Sequence, residues 1–81
     1  MAFDHDTLAE NIRRLRLEKS AKLGRAVSQA EVAKAVGVTT ATMQNYELGR
    51  SVMGYETAWR IADYYGITLD ELGGRSARAA S

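Results

Sequence analysis

Apolar residues recur through this chain at three- and four-residue intervals, and the rhythm breaks at glycines and short polar clusters. Leu8, Ile12 and Leu15 stand at i, i+4 and i+7 behind Asp4 and Asp6, whose carboxylates suit an N-cap and a first helical turn. A first helix is therefore predicted from about residue 6 to 20. Residues 17–27 favour helix as far as Gly24 and loop beyond it, which predicts an extended first helix followed by a connection. Ser28 and Glu31 have the spacing of a capping box, in which the serine oxygen accepts a backbone N–H three residues on and the glutamate reaches back. The second helix that starts there presents Ala30, Val32, Ala33 and Val36 as its apolar face, and Gly37 is placed to end it in the left-handed conformation.

Thr39 can cap a third helix from about residue 40 to 47, with Met43 and Tyr46 inward, Thr40, Ala41, Gln44 and Asn45 outward, and Gly49 closing it. A linker from Arg50 to Tyr55 leads to a fourth helix, roughly Glu56 to Tyr65, where Ala58, Ile61, Ala62 and Tyr65 again repeat at helical spacing. Thr68 and Glu71 form a second capping-box signature, opening a last short helix that delivers Leu69 and Leu72 to the core. Strand patterns and prolines are both absent, so the expected fold is all-α: a compact five-helix domain over residues 1–72. The segment 73–81 carries no large apolar residue and is expected to be a disordered tail.

Composition narrows the classes of function. With no cysteine and one histidine, His5, neither a disulfide framework nor a cysteine-rich zinc site can form, and no metal or cofactor is expected. His5 stands between two aspartates without metal-ligand spacing and is expected at the surface. No apolar run approaches bilayer length and no signal-peptide pattern opens the chain, so a soluble, cytoplasmic protein is expected. No nucleophile–base pair and no phosphate-cradling glycine loop is visible, so an enzyme is not expected. Net charge is only +1, but it is unevenly placed: residues 11–50 hold eight Lys or Arg against three Glu, and the remainder is acidic. Such a distribution can orient one basic face toward a polyanion.

Residues 28–49 combine a capped helix, a glycine turn and a second capped helix whose outer face is small and polar, which reads as a helix-turn-helix. This pattern resembles the lambda-repressor-like, Cro/C1-type helix-turn-helix domains. The resemblance is carried by Ile12-Arg13-Arg14-Leu15-Arg16, by Ser28 to Ala33 with Gly37-Val38-Thr39, by Met43, Tyr46-Glu47 and Gly49-Arg50, and by Glu56-Thr57, Ile61-Ala62 and Gly66 to Leu72. Two departures stand out. The chain is about six residues longer between Arg16 and Gln29 than is usual in that family, and Met53 stands where the family commonly has proline.

The resemblance implies a transcriptional regulator, a repressor by family habit, that binds double-stranded DNA as a homodimer on a pseudo-palindromic operator. It implies base contacts from Thr39, Thr40, Ala41, Gln44 and Asn45, and phosphate contacts from Gln29, Thr42, Arg50 and Lys34. Arg16 and Glu47 resemble that family's ion pair between the first and third helices. Lys19, Lys22 and Arg25, in the extension, are further candidates for the DNA backbone. Trp59 and Tyr64 are expected in the core or at a dimer contact, and the dimer contact itself around the end of helix four, the last turn and residues 51–55. No small-molecule effector is expected. The rival reading is a protein-interaction module of the same fold, such as an antitoxin or anti-repressor-type regulator. It would call for large apolar anchors on the face of residues 40–45, where small polar ones stand.

Overall fold

A computed structural model describes residues 5–73, with side chains from residue 6. The expectations for His5 as a surface side chain and for 74–81 as a disordered tail lie outside the described residues. Those described form five helices and no strand: α1 (His5–Leu23), α2 (Gln29–Val36), α3 (Thr40–Glu47), α4 (Tyr55–Tyr65) and α5 (Leu69–Leu72). None is long and apolar enough to cross a membrane.

One cluster of buried side chains joins the helices. Leu8 and Ile12 of α1 meet Val32, Ala33 and Val36 of α2, Met43 of α3, Ala58, Ile61 and Ala62 of α4, and Leu72 of α5. Met53, in the linker, is buried in the same cluster, so an apolar anchor fixes the segment that the family commonly stiffens with proline. Ala30, expected on the apolar face of α2, is exposed instead, because that face narrows to Val32, Ala33 and Val36 at i, i+1 and i+4.

The helix ends follow local chemistry. Thr68 and Glu71 complete the full reciprocal cap of α5. At α2 only half of the expected box forms: Ser28 Oγ accepts the Glu31 N–H at 3.1 Å, but the Glu31 carboxylate turns to Arg25 with two bonds of 2.9 and 3.0 Å. Two charge-assisted bonds outcompete one to a backbone N–H, and the Arg25 partner holds Glu31 below the usual carboxylate range. Gly37 closes α2 at φ +82°, so the turn into α3 favours glycine by conformation; a Cβ there would meet the mobile tip of Arg60, Nη1, at 3.3 Å.

The helix α1 runs past residue 20 to Leu23, just short of Gly24 as the extended reading expects, because the stripe facing its neighbours continues in polar form. After Leu8, Ile12 and Leu15 come Arg16, Lys19 and Ser20. Ser20 Oγ donates to the Arg16 carbonyl at 3.1 Å and accepts the Val27 N–H at 2.8 Å, pinning the 24–28 connection against the helix. Lys19 Nζ sits 3.8 Å from the centroid of the Tyr64 ring, joining α1 to the end of α4 by a cation–π contact. Asn11 Nδ2 donates to the Leu72 carbonyl at 2.9 Å and ties down the end of α5.

Tyr65 packs against the core, yet its hydroxyl is buried with no partner among the described residues, and burial pushes the phenol well above its ordinary pKa. An unpaired buried hydroxyl costs about 1–3 kcal/mol. Tyr65→Phe is accordingly expected to stabilise the protein by about 1 kcal/mol, seen as a rise in thermal midpoint of roughly 4–8 °C. An unchanged or lower midpoint would show that the hydroxyl is satisfied.

Candidate nucleic-acid interface

The unit α2–turn–α3 is held rigid from beneath. Met43, fully buried, anchors α3 in the core, while Val38 of the turn and Tyr46 pack against the same cluster. Glu47, at the last turn of α3, is the buried charged residue of the described set, its side chain only 3% exposed. The Arg16 guanidinium grips it with a fork, Nε to Oε2 at 2.8 Å and Nη2 to Oε1 at 3.0 Å. Nη1 of the same arginine donates to the Val27 carbonyl at 3.1 Å, and Gln29 Nε2 donates to Glu47 Oε1 at 3.0 Å. One carboxylate thereby joins α1, the start of α2 and the end of α3. The hydrogen bonds to Glu47 raise the Arg16 pKa further above its already high value, so the guanidinium stays charged throughout.

What this scaffold presents outward is polar and small. Thr39 caps α3: its Oγ1 accepts the Thr42 N–H at 3.1 Å and donates to Thr42 Oγ1 at 2.8 Å. Its hydroxyl is thus spent on the helix start, and Thr42 beside it is half-buried. Thr40, Ala41 and Gln44 lie in solvent and Asn45 is half-buried at their edge, so these four share the surface turned away from Met43. The α3 end is closed by the Gly49 N–H to Tyr46 and the Arg50 N–H to Asn45, which leaves the Asn45 side chain uninvolved in the closure.

The three glutamates of the basic window are each taken by a cation of that window: Glu18 by Arg14, Glu31 by Arg25 and Glu47 by Arg16. Among the described residues Arg13, Lys22, Lys34 and Arg50 make no ion pair, so the local excess of positive charge survives as individually available groups. Lys34 and Arg50 stand exposed on α2 and just beyond α3. Within the extension, only Lys22 has neither an ion pair nor a ring contact, since Lys19 is turned to Tyr64 and Arg25 to Glu31.

The model of the family described as a helix-turn-helix domain matches residues 7–73. The chain belongs to the helix-turn-helix domain family. It is with that family a DNA-binding transcription regulator. Its fold is similar to the solution structure of the SOS-response transcriptional repressor LexA from Eubacterium rectale, at 22% identity and a TM-score of 0.73, covering 95% of this chain and 78% of the other. At that identity the likeness concerns the fold. The comparison with curated proteins returns no match.

Of the residues singled out from sequence in this helix-turn-helix domain, Thr40, Ala41, Gln44 and Asn45 come together on one surface, and Thr39 and Thr42 form its capped edge. Gln29 is brought instead to Glu47, with its amide nitrogen committed there. Trp59 is not in the core, being 61% exposed. Sequence reasoning missed Ser20, Asn11 and the Val27 carbonyl as fixing points. Ser20 left a trace, standing four residues after Arg16 on the same helical stripe, whereas Asn11 left none.

Proposed function

We propose that the protein is a sequence-specific regulator, acting as a repressor, that binds a pseudo-palindromic operator as a homodimer with α3 in the major groove. The observation that carries this reading is the outward face of α3. A helix can read base edges only if its exposed side chains are short and hydrogen-bonding while its other face is clamped. Gln44 and Asn45 suit bidentate pairing with adenine, Thr40 suits a base or nearby phosphate, Ala41 suits a thymine methyl, and Thr39, its hydroxyl held in the cap, offers its own methyl to a thymine. The clamp is Met43 and the Arg16–Glu47 fork.

Phosphate contacts fall to Lys34 and Arg50, the exposed unpaired cations flanking the unit, and to Thr42 and Gln29 at the two helix starts. With its side chain drawn to Glu47, Gln29 offers a phosphate chiefly the backbone N–H groups that open α2, which favour an anion by geometry and by helix dipole. A homodimer follows from energetics: one short helix reads too few base pairs to select a site among genomic competitors, and a two-fold pair doubles the reading.

The test is selection from a random duplex pool at near-physiological salt, with Asn45→Ala run beside the wild type. A two-fold-symmetric motif is expected, and the variant should lose about 1–3 kcal/mol of discrimination at one symmetric pair of positions with its helicity unchanged. If the folded protein enriches no motif, the reading fails.

A further inference from the structure

The apolar arc of α4 runs past the part its neighbours cover. Flanking Ala58, Ile61 and Ala62, three large apolar side chains stand in solvent: Val52 of the linker at 76%, and Tyr55 and Trp59 at 66% and 61%. The two rings meet edge to face, with centroids 6.5 Å apart and planes at 70°. Beside them Glu56 and Arg60 lie 3.6 Å apart, and these two line one shallow surface cleft with Trp59 and Asp63.

We infer that this face receives a second copy of the same chain, α4 antiparallel to α4, and that the contact forms between copies seated on adjacent half-sites rather than in free solution. The inference rests on the reading of the protein as a dimeric DNA binder and names the surface that reading lacks. Symmetry is the first argument. In a two-fold contact residue i meets residue j and j meets i. Tyr55 and Trp59 are four residues apart, and so are Glu56 and Arg60. One axis passing near residues 57 and 58 therefore sets each Tyr55 against the second copy's Trp59 and each Glu56 against the second copy's Arg60. A face with apolar rings flanked by both signs of charge is complementary to itself, whereas a strongly acidic or basic partner would call for one sign.

Area decides when the contact forms. Complete burial of an aromatic side chain covers about 150–250 Å², so Tyr55, Trp59 and Val52 together offer on the order of 300 Å² of apolar surface per copy. A stable interface takes about 800 Å² per partner. The face is too small for a permanent dimer and sufficient where DNA holds two copies at a local concentration of about a millimolar. Position agrees. Two recognition helices one turn of DNA apart, about 34 Å, require the axis to lie close to α3 in a molecule whose longest dimension is 37 Å. The start of α4 is joined to α3 by the short segment 48–54.

The test uses the full chain, the duplex enriched from the random pool, and the same duplex with one half-site scrambled. Binding to the intact duplex is expected to be cooperative by a factor of about 10. Trp59→Ala and Arg60→Glu should each leave half-site affinity unchanged and remove that factor. Arg60 lies against the Gly37 turn, so the helicity of its variants is checked first. The double swap Glu56→Arg with Arg60→Glu should restore cooperativity, which only a copy carrying the same swap can do. Independently of DNA, raising the free protein from micromolar to millimolar concentration should give a dimer and blue-shift the emission of Trp59, the single tryptophan. That arm decides the contact even if the pool yields no motif, an outcome that would sink the DNA reading alone. Trp59 emission unchanged at millimolar concentration, or a double swap no better than Arg60→Glu, overturns the proposal; either would leave the face to a different partner.

Discussion

Arg16→Ala is expected to lower the free energy of unfolding by about 3–5 kcal/mol, measured by urea titration followed by circular dichroism. The loss has two parts, both visible in the geometry. The substitution strips both bonds of the fork from a carboxylate whose side chain is 3% exposed, leaving Gln29 as its remaining side-chain partner. It also frees the Val27 carbonyl, which Arg16 alone draws to α1 through Nη1. Buried charge without compensation is the dominant cost, so Arg16→Ala should be worse than Glu47→Ala, because the arginine side chain is 17% exposed and its guanidinium can reach water. Arg16→Lys should fall between, since an ammonium cannot reproduce the planar fork. A double change to apolar residues, Arg16→Met with Glu47→Leu, should be milder than Arg16→Ala. If all of these variants proved equal within error, the pair would be contributing packing and not charge. Because domains hold only about 5–15 kcal/mol in total, Arg16→Ala leaves a small reserve, and DNA binding should fall with it.

The second large effect is at Met43. Truncation of this fully buried side chain to alanine is expected to cost about 2–5 kcal/mol, since the lost methylenes and sulfur leave a cavity where α3 meets the core. The informative comparison is with Asn45→Ala, two residues along the same helix. There stability should hardly move while sequence discrimination drops. Measured side by side, unfolding and DNA selection should separate cleanly: Met43→Ala damages the first and weakens all sequences alike, and Asn45→Ala alters only the second. A Met43→Ala protein with wild-type stability would mean that α3 is not anchored as described.

Most of the fold was legible because its signals are local. Ser28, Thr39 and Thr68 each cap a helix through a partner three residues on, and Gly37 ends α2 within a single turn of chain. The extension was harder, because its contacts are polar and distant in sequence. Arg16 reaches Val27 across eleven residues and Gln29 reaches Glu47 across eighteen, and no periodicity encodes either. Glu31 obeyed the spacing of a reciprocal cap but lost that role to Arg25, a competitor lying outside the motif. Trp59 was ambiguous because the apolar arc of α4 is broad, running from Ile61 through Ala58 and Ala62 to Tyr55 and Trp59, and how much of it is buried is decided only once α2 and α5 are packed. The α3 face was legible as polar and exposed, yet the commitment of the Gln29 amide to Glu47 was not.

The burial of Met43 and Met53 carries a consequence for oxidative chemistry. With no cysteine in the chain, sulfur oxidation falls on methionine, and these two thioethers are closed to solvent in the folded protein. Peroxide reaches them only when α3 or the linker opens, so the rate at which each becomes a sulfoxide reports the opening of its own segment. A polar sulfoxide at Met43 would wedge the recognition helix off the core, and one at Met53 would release the linker. Oxidative damage would then silence the regulator after it has opened and not before, and methionine sulfoxide reductase chemistry would be what restores it.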